Sequence, residues 1–86
     1  MHEMAVALEI CRIAAEQAGQ AGATRVVAVG VEVGDDSGVE ISSLEFCLGA
    51  LLEQPPFRQA KPVIARPPGD VLRVSYVEVE DDRPDD

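Results

Sequence analysis

From Glu3 to Gln20, apolar side chains return every three or four residues. Met4, Leu8, Cys11, Ala15 and Ala18 carry the repeat, and Val6, Ile10 and Ile13 widen the stripe. That period predicts an amphipathic helix over 3–20. Glu9, Arg12 and Glu16 share the opposite face at spacings that allow ion pairs. Glu3 suits the positive end of the helix dipole, and Gly19 and Gly22 offer the left-handed conformation that commonly ends a helix. The period then falls to two. Val27, Val29, Val31 and Val33 alternate with Ala28, Gly30 and Glu32, which predicts a strand over 25–33 burying mainly one face.

Gly34-Asp35-Asp36-Ser37-Gly38 breaks the chain into a turn. Ser42 and Glu45 have the spacing of a capping box, with Ile41 and Phe46 at the hydrophobic-staple positions. They predict a second helix over about 43–53, with Leu44, Cys47, Leu48 and Leu51 on one face and Pro55-Pro56 as its stop. Lys61 to Arg66 reads as a short strand with Val63 and Ala65 on one face and Ile64 on the other. After the turn Pro67-Pro68-Gly69-Asp70, Val71 to Glu80 reads as a longer strand whose phase changes. Leu72, Val74 and Tyr76 face one way, then Val77 and Val79 the other, which calls for a bulge near Tyr76. The order α-β-α-β-β predicts an α+β fold, with two helices packed on one face of a three-stranded sheet. Its expected core is Leu8, Cys11, Val27, Val29, Val31, Leu44, Leu48, Leu51, Val63, Leu72 and Val74. Residues 1–80 are expected to form one domain, and 81–86, with four aspartates and one arginine, a solvated, disordered tail.

Composition narrows the function. Seven Lys and Arg against sixteen Asp and Glu give a formal charge of −9, and aromatic residues make up only 3% of 86. Phosphate contacts need clustered cations and base stacking needs aromatics, so a nucleic-acid partner is disfavoured. An anionic membrane surface is disfavoured for the same electrostatic reason, and no apolar run has the length of a transmembrane span. The start has neither the basic nor the apolar stretch of a signal peptide, and two cysteines are too few for a stapled secreted scaffold. A small acidic cytoplasmic protein is expected.

No conventional catalytic motif is present. Gly34 and Gly38 do not form a phosphate loop, and no serine has a nearby base. Cys11 and Cys47 lie on apolar helix faces, where a thiol usually acts as a small hydrophobe. An enzyme is not expected. The amino terminus is the exception. A bulky second residue disfavours removal of the initiating methionine, so the Met1 amine, the His2 amide and the His2 imidazole can close fused chelate rings on one metal. The Glu3 amide or a nearby carboxylate can supply a fourth donor. A planar, nitrogen-rich set suits Ni(II) or Cu(II) rather than Mg or Ca, although a lone histidine is more often an ordinary exposed side chain.

The opening Met1-His2-Glu3-Met4 and its helix to Glu16-Gln17-Ala18 are followed by Val31-Glu32-Val33-Gly34, Ser37-Gly38-Val39-Glu40, Leu44 and Phe46. Gly69-Asp70-Val71-Leu72-Arg73-Val74 and Val77-Glu78-Val79-Glu80 complete the series. In this order the blocks resemble the HypA/HybF family of hydrogenase nickel-incorporation proteins. The resemblance implies a nickel metallochaperone serving the large subunit of a [NiFe] hydrogenase, in some organisms also urease, with a HypB-type GTPase as partner. It implies a nickel site at Met1, His2 and Glu3, with His2 the indispensable ligand and Glu40 at a matching acidic position. Family members carry a zinc domain, built on two Cys-x-x-Cys pairs, between their last two strands. Here only Arg66-Pro67-Pro68 separates Ala65 from Gly69, and neither cysteine belongs to such a pair. A minimal fold with no structural zinc is therefore expected. The alternative is a non-metal adaptor of the same fold that docks a hydrogenase subunit or a full-length HypA. A third reading takes the acidic tail as a loose metal buffer.

Overall fold

The computed structural model describes residues 2–80. Helix α1 spans Glu3–Gln20, strand β1 Val26–Val33, helix α2 Ile41–Leu51, strand β2 Lys61–Ala65 and strand β3 Leu72–Val79. The predicted α+β order is therefore the observed one. The expected tail at 81–86 and the Met1 amine lie outside the described residues.

β1 is the central strand of a sheet ordered β2-β1-β3, parallel to β2 and antiparallel to β3. Parallel neighbours need a crossover, and α2 with its following loop supplies it. Both helices cover one face. α1 packs beside α2 and over β3 and β1, and α2 reaches β2. The core between the layers holds Leu44, Leu48 and Leu52, together with Val26, Val29, Val31 and Val33 of β1, all under 2% exposed.

Two bulges set which valines point inward. β1 carries one extra residue between the pairs Val26↔Val79 and Ala28↔Glu78, which turns Val27 out of the core. β3 carries one between Gly30↔Tyr76 and Val31↔Val74, at Ser75. The expected bulge near Tyr76 is thus present. It lets Val74, Val77 and Val79 all pack on the core, while Tyr76 is 45% exposed and stands over Gly30 on the open face. Tyr76 therefore does not share a face with Val74, as the alternation had implied.

Other assignments shift by a residue. On α1 the buried seam is Ala7, Ile10, Ala14 and Ala18, with Val6, Cys11 and Ala15 flanking it, whereas Leu8 and Met4 are about half exposed. Alanines occupy the seam because α1 meets both α2 and the sheet there, and small side chains let the backbones approach. On β2 it is Ile64 that packs on the core and Val63 that faces outward; Val27, Val63 and Leu72 all leave the expected core. The loop after α2 contributes Leu52, Phe57 and Ala60, none of which a periodic pattern marks.

The β2–β3 turn is pinned to the end of β1. Gly34 donates its N–H to the Val71 carbonyl at 2.6 Å, Asp36 to the Gly69 carbonyl at 2.8 Å and Asp35 to the Pro67 carbonyl at 2.9 Å. The Asp35 carboxylate accepts from the Gly69 N–H, and the Arg66 guanidinium donates to the Val33 carbonyl at 2.8 Å. A Cβ at Gly34 would lie 2.1 Å from the Gly69 carbonyl oxygen, so only glycine permits this approach.

Candidate metal centre

His2 is the N-cap of α1, in extended conformation (φ −85°, ψ 108°), and its carbonyl accepts from the Val6 N–H at 3.2 Å. Its imidazole makes no capping hydrogen bond and is exposed. The amides of Glu3, Met4 and Ala5 lie in the first turn of the helix, ahead of the bond that Val6 makes to the His2 carbonyl. A helix start therefore presents backbone nitrogens beside an exposed imidazole that caps none of them. Deprotonating such an amide is eased by the positive end of the helix dipole, and the resulting negative charge offsets that of a bound cation.

Glu3 and Glu40 meet. The Glu3 carboxylate accepts from the Glu40 N–H at 3.0 Å, joining the first residue of α1 to the residue before α2. Glu40, not Ser42, is the N-cap of α2. Its carboxylate accepts from the Ser43 N–H at 2.6 Å and from the Ser42 hydroxyl at 2.5 Å. The expected capping box and staple are therefore absent; α2 begins two residues earlier and Phe46 is 70% exposed. Glutamate is not among the preferred N-caps, which is why the sequence pointed to the serine. Both Glu40 oxygens are engaged, so the geometry suits Glu40 to holding Glu3 in place more than to ligation.

The Glu40 N–H holds the Glu3 carboxyl below its ordinary pKa. The Ser42 hydroxyl, and next the Ser43 N–H, do the same for Glu40. A carboxyl with a depressed pKa in the folded state contributes stability that is complete above its unfolded pKa and lost as pH falls through the folded one. Glu40→Gln should consequently lower the urea midpoint at neutral pH, with the difference from the native chain shrinking below the ordinary glutamate range. Urea titrations at pH 7 and in acid check this; a gap that widens in acid would contradict the cap.

Among the described residues, no group of three or more His, Cys, Asp or Glu side chains gathers to hold a metal. Cys11 and Cys47 are free and half-buried, and burial pushes the Cys11 thiol pKa up, away from the thiolate a metal requires. His2 also borders an open apolar groove of about 500 Å³ between α1 and β3.

The profile of the family described as "Hydrogenase/urease nickel incorporation, metallochaperone, hypA" matches residues 1–72, which takes in both helices, β1, β2 and the first residue of β3. A protein named hydrogenase maturation factor HypA from Chlorobaculum parvum is 39% identical over 64 residues, covering 74% of this chain and 57% of that protein. Another from Geobacter metallireducens is 39% identical over 69 residues, covering 80% and 60%. The chain thus spans about three-fifths of the length of these relatives. The solution structure of the Ni metallochaperone HypA from Helicobacter pylori superposes with a TM-score of 0.81 at 16% identity, covering 92% of this chain and 97% of that one. That likeness concerns the fold.

Proposed function

This chain belongs to the HypA family of hydrogenase and urease nickel-incorporation proteins, and from that premise we propose that it is a nickel metallochaperone whose cargo binds at Met1, His2 and Glu3. The observation that carries the reading is the start of α1: an exposed His2 imidazole beside helix-opening amides, with the Glu3 side chain tied back to Glu40. Met1 supplies its amine, His2 its amide and imidazole, and Glu3 its amide, while Glu40 acts through Glu3. Such a nitrogen donor set would suit Ni(II), with His2 and the backbone supplying the ligands and an acceptor protein competing for the metal. No catalytic step is needed, and the role is that of an accessory protein rather than an enzyme.

The acceptor in this reading is the large subunit of a [NiFe] hydrogenase, with a HypB-type GTPase assisting release, all in the cytoplasm. No helix among the described residues is long and apolar enough to cross a membrane. Zinc is not part of the proposal, since β2 and β3 are joined by the pinned turn and both thiols lie on helices. The test is calorimetric titration with Ni(II) of the untagged chain against the same chain carrying an uncleaved N-terminal extension. Binding confined to the free amino terminus supports the proposal; equal binding by both removes it.

A further inference from the structure

We propose that β3 is a self-association edge, through which two copies of this chain pair antiparallel and join their sheets into one of six strands. β2 and β3 are both edge strands, but they differ as edges. β2 is five residues long and contains Pro62, which has no N–H to offer, and a short, proline-bearing edge resists further pairing. β3 runs eight residues without proline, and its partner among the described strands is β1 alone. The apolar groove follows this edge. It is walled by Val6, Ile10 and Ile13 of α1 and by Leu72 and Val74 of β3, with no residue of β1 or α2. It therefore opens on the side where a fourth strand would lie, and Leu72 is left 37% exposed there.

The sequence of β3 says which strand fits. Leu72-Arg73-Val74, then Ser75-Tyr76 at the bulge, then Val77-Glu78-Val79 is a palindrome of apolar and charged positions, with the charges of opposite sign. Antiparallel pairing centred on the bulge sets Leu72 against Val79 and Val74 against Val77 on the helix-covered face. On the open face it sets Arg73 against Glu78 of the other copy, and the two-fold repeats the pair. A bulge commonly blunts an edge; at the centre of the pairing, bulge meets bulge and the register survives on both sides. Without the extra residue at Ser75, inward side chains of one copy would oppose outward ones of the other. Arg73 already pairs with Glu32 of its own chain, and a guanidinium has donors for both carboxylates.

Sedimentation equilibrium of the untagged, metal-free chain under reducing conditions tests this. A mass twice 9.2 kDa is expected in the micromolar range. Because like charges directly opposite destabilise a strand pair, Arg73→Glu and Glu78→Arg should each weaken association about tenfold or more. The double variant, which restores opposite charges, should regain the native affinity. Glu78→Arg leaves the Arg73–Glu32 pair intact, so it decides alone if Arg73→Glu proves unfolded by circular dichroism. A monomer throughout the range, native-like dimerisation of Glu78→Arg, or no recovery in a folded double variant overturns the proposal; the first result would leave the edge to an extended strand of another protein. The metal plays no part, so failure here leaves the nickel titration untouched.

Discussion

Leu48→Ala should lower the unfolding free energy by about 2–5 kcal/mol, the range for a buried leucine that leaves a cavity. Leu48 is 0% exposed at the middle of α2 and belongs to the cluster that includes Ala14 and Ala18 of α1 and Val29 and Val31 of β1. α2 packs against both α1 and β2, so the space left by the side chain is walled by elements that cannot close freely on it, which puts the loss toward the upper part of the range. A domain of this size is stable by roughly 4–13 kcal/mol, so this single change removes a large fraction of it. Leu8→Ala is the control. Leu8 is 53% exposed, and the same truncation there should cost well under half as much. Urea unfolding with an unchanged m-value reads both. Equal losses would mean that α1 is rotated about its axis relative to the structure described.

The element order and type were legible because the change from a period near 3.6 to a period of two is strong and each element is bounded by Gly or Pro. The phase within each element was less so. Hydropathy favoured Leu8 over Ala7, but a helix that meets a second helix and a sheet selects for small size at the seam, which no hydropathy pattern records. On β1, Val27, Val29, Val31 and Val33 share one parity, but the bulge at Val27 turns that residue out and brings Val26 in, which no alternation could reveal. β3 behaved differently: its apolar positions break parity visibly, so the bulge could be read in advance. β2 is too short, and apolar at both parities, to reveal that Ile64 points inward. At the candidate site the residue types His2, Glu3 and Glu40 were legible from the resemblance. The hydrogen bond from the Glu40 N–H to Glu3 was not, because it joins residues 37 apart and involves a cap that glutamate seldom provides.

Removing the His2 side chain should cost the most. If Met1, His2 and Glu3 hold nickel, His2→Ala removes the imidazole that anchors the chelate, and affinity should fall by about 100-fold or more, since even residues that only orient metal ligands are worth about 10–100-fold. Extending the chain before Met1 converts its amine to an amide and should be nearly as damaging while leaving His2 in place. Glu40→Gln keeps the backbone N–H that holds Glu3 and alters only the α2 cap beside it, so its effect should be at most about tenfold. Lowering the pH should release the metal, because protons compete for the amine, the amide and the imidazole together, and the dependence should exceed one proton per nickel. This ordering separates the chelate from the alternatives. A loose carboxylate site would bind nickel equally in the native chain, the extended chain and His2→Ala, and would respond only weakly to pH in the neutral range. Equal binding by all of them would place the metal on acidic residues such as those at 81–86, and the adaptor reading would replace the chaperone. A hundredfold loss confined to His2→Ala and the extended chain would tie the cargo to the first turn of α1.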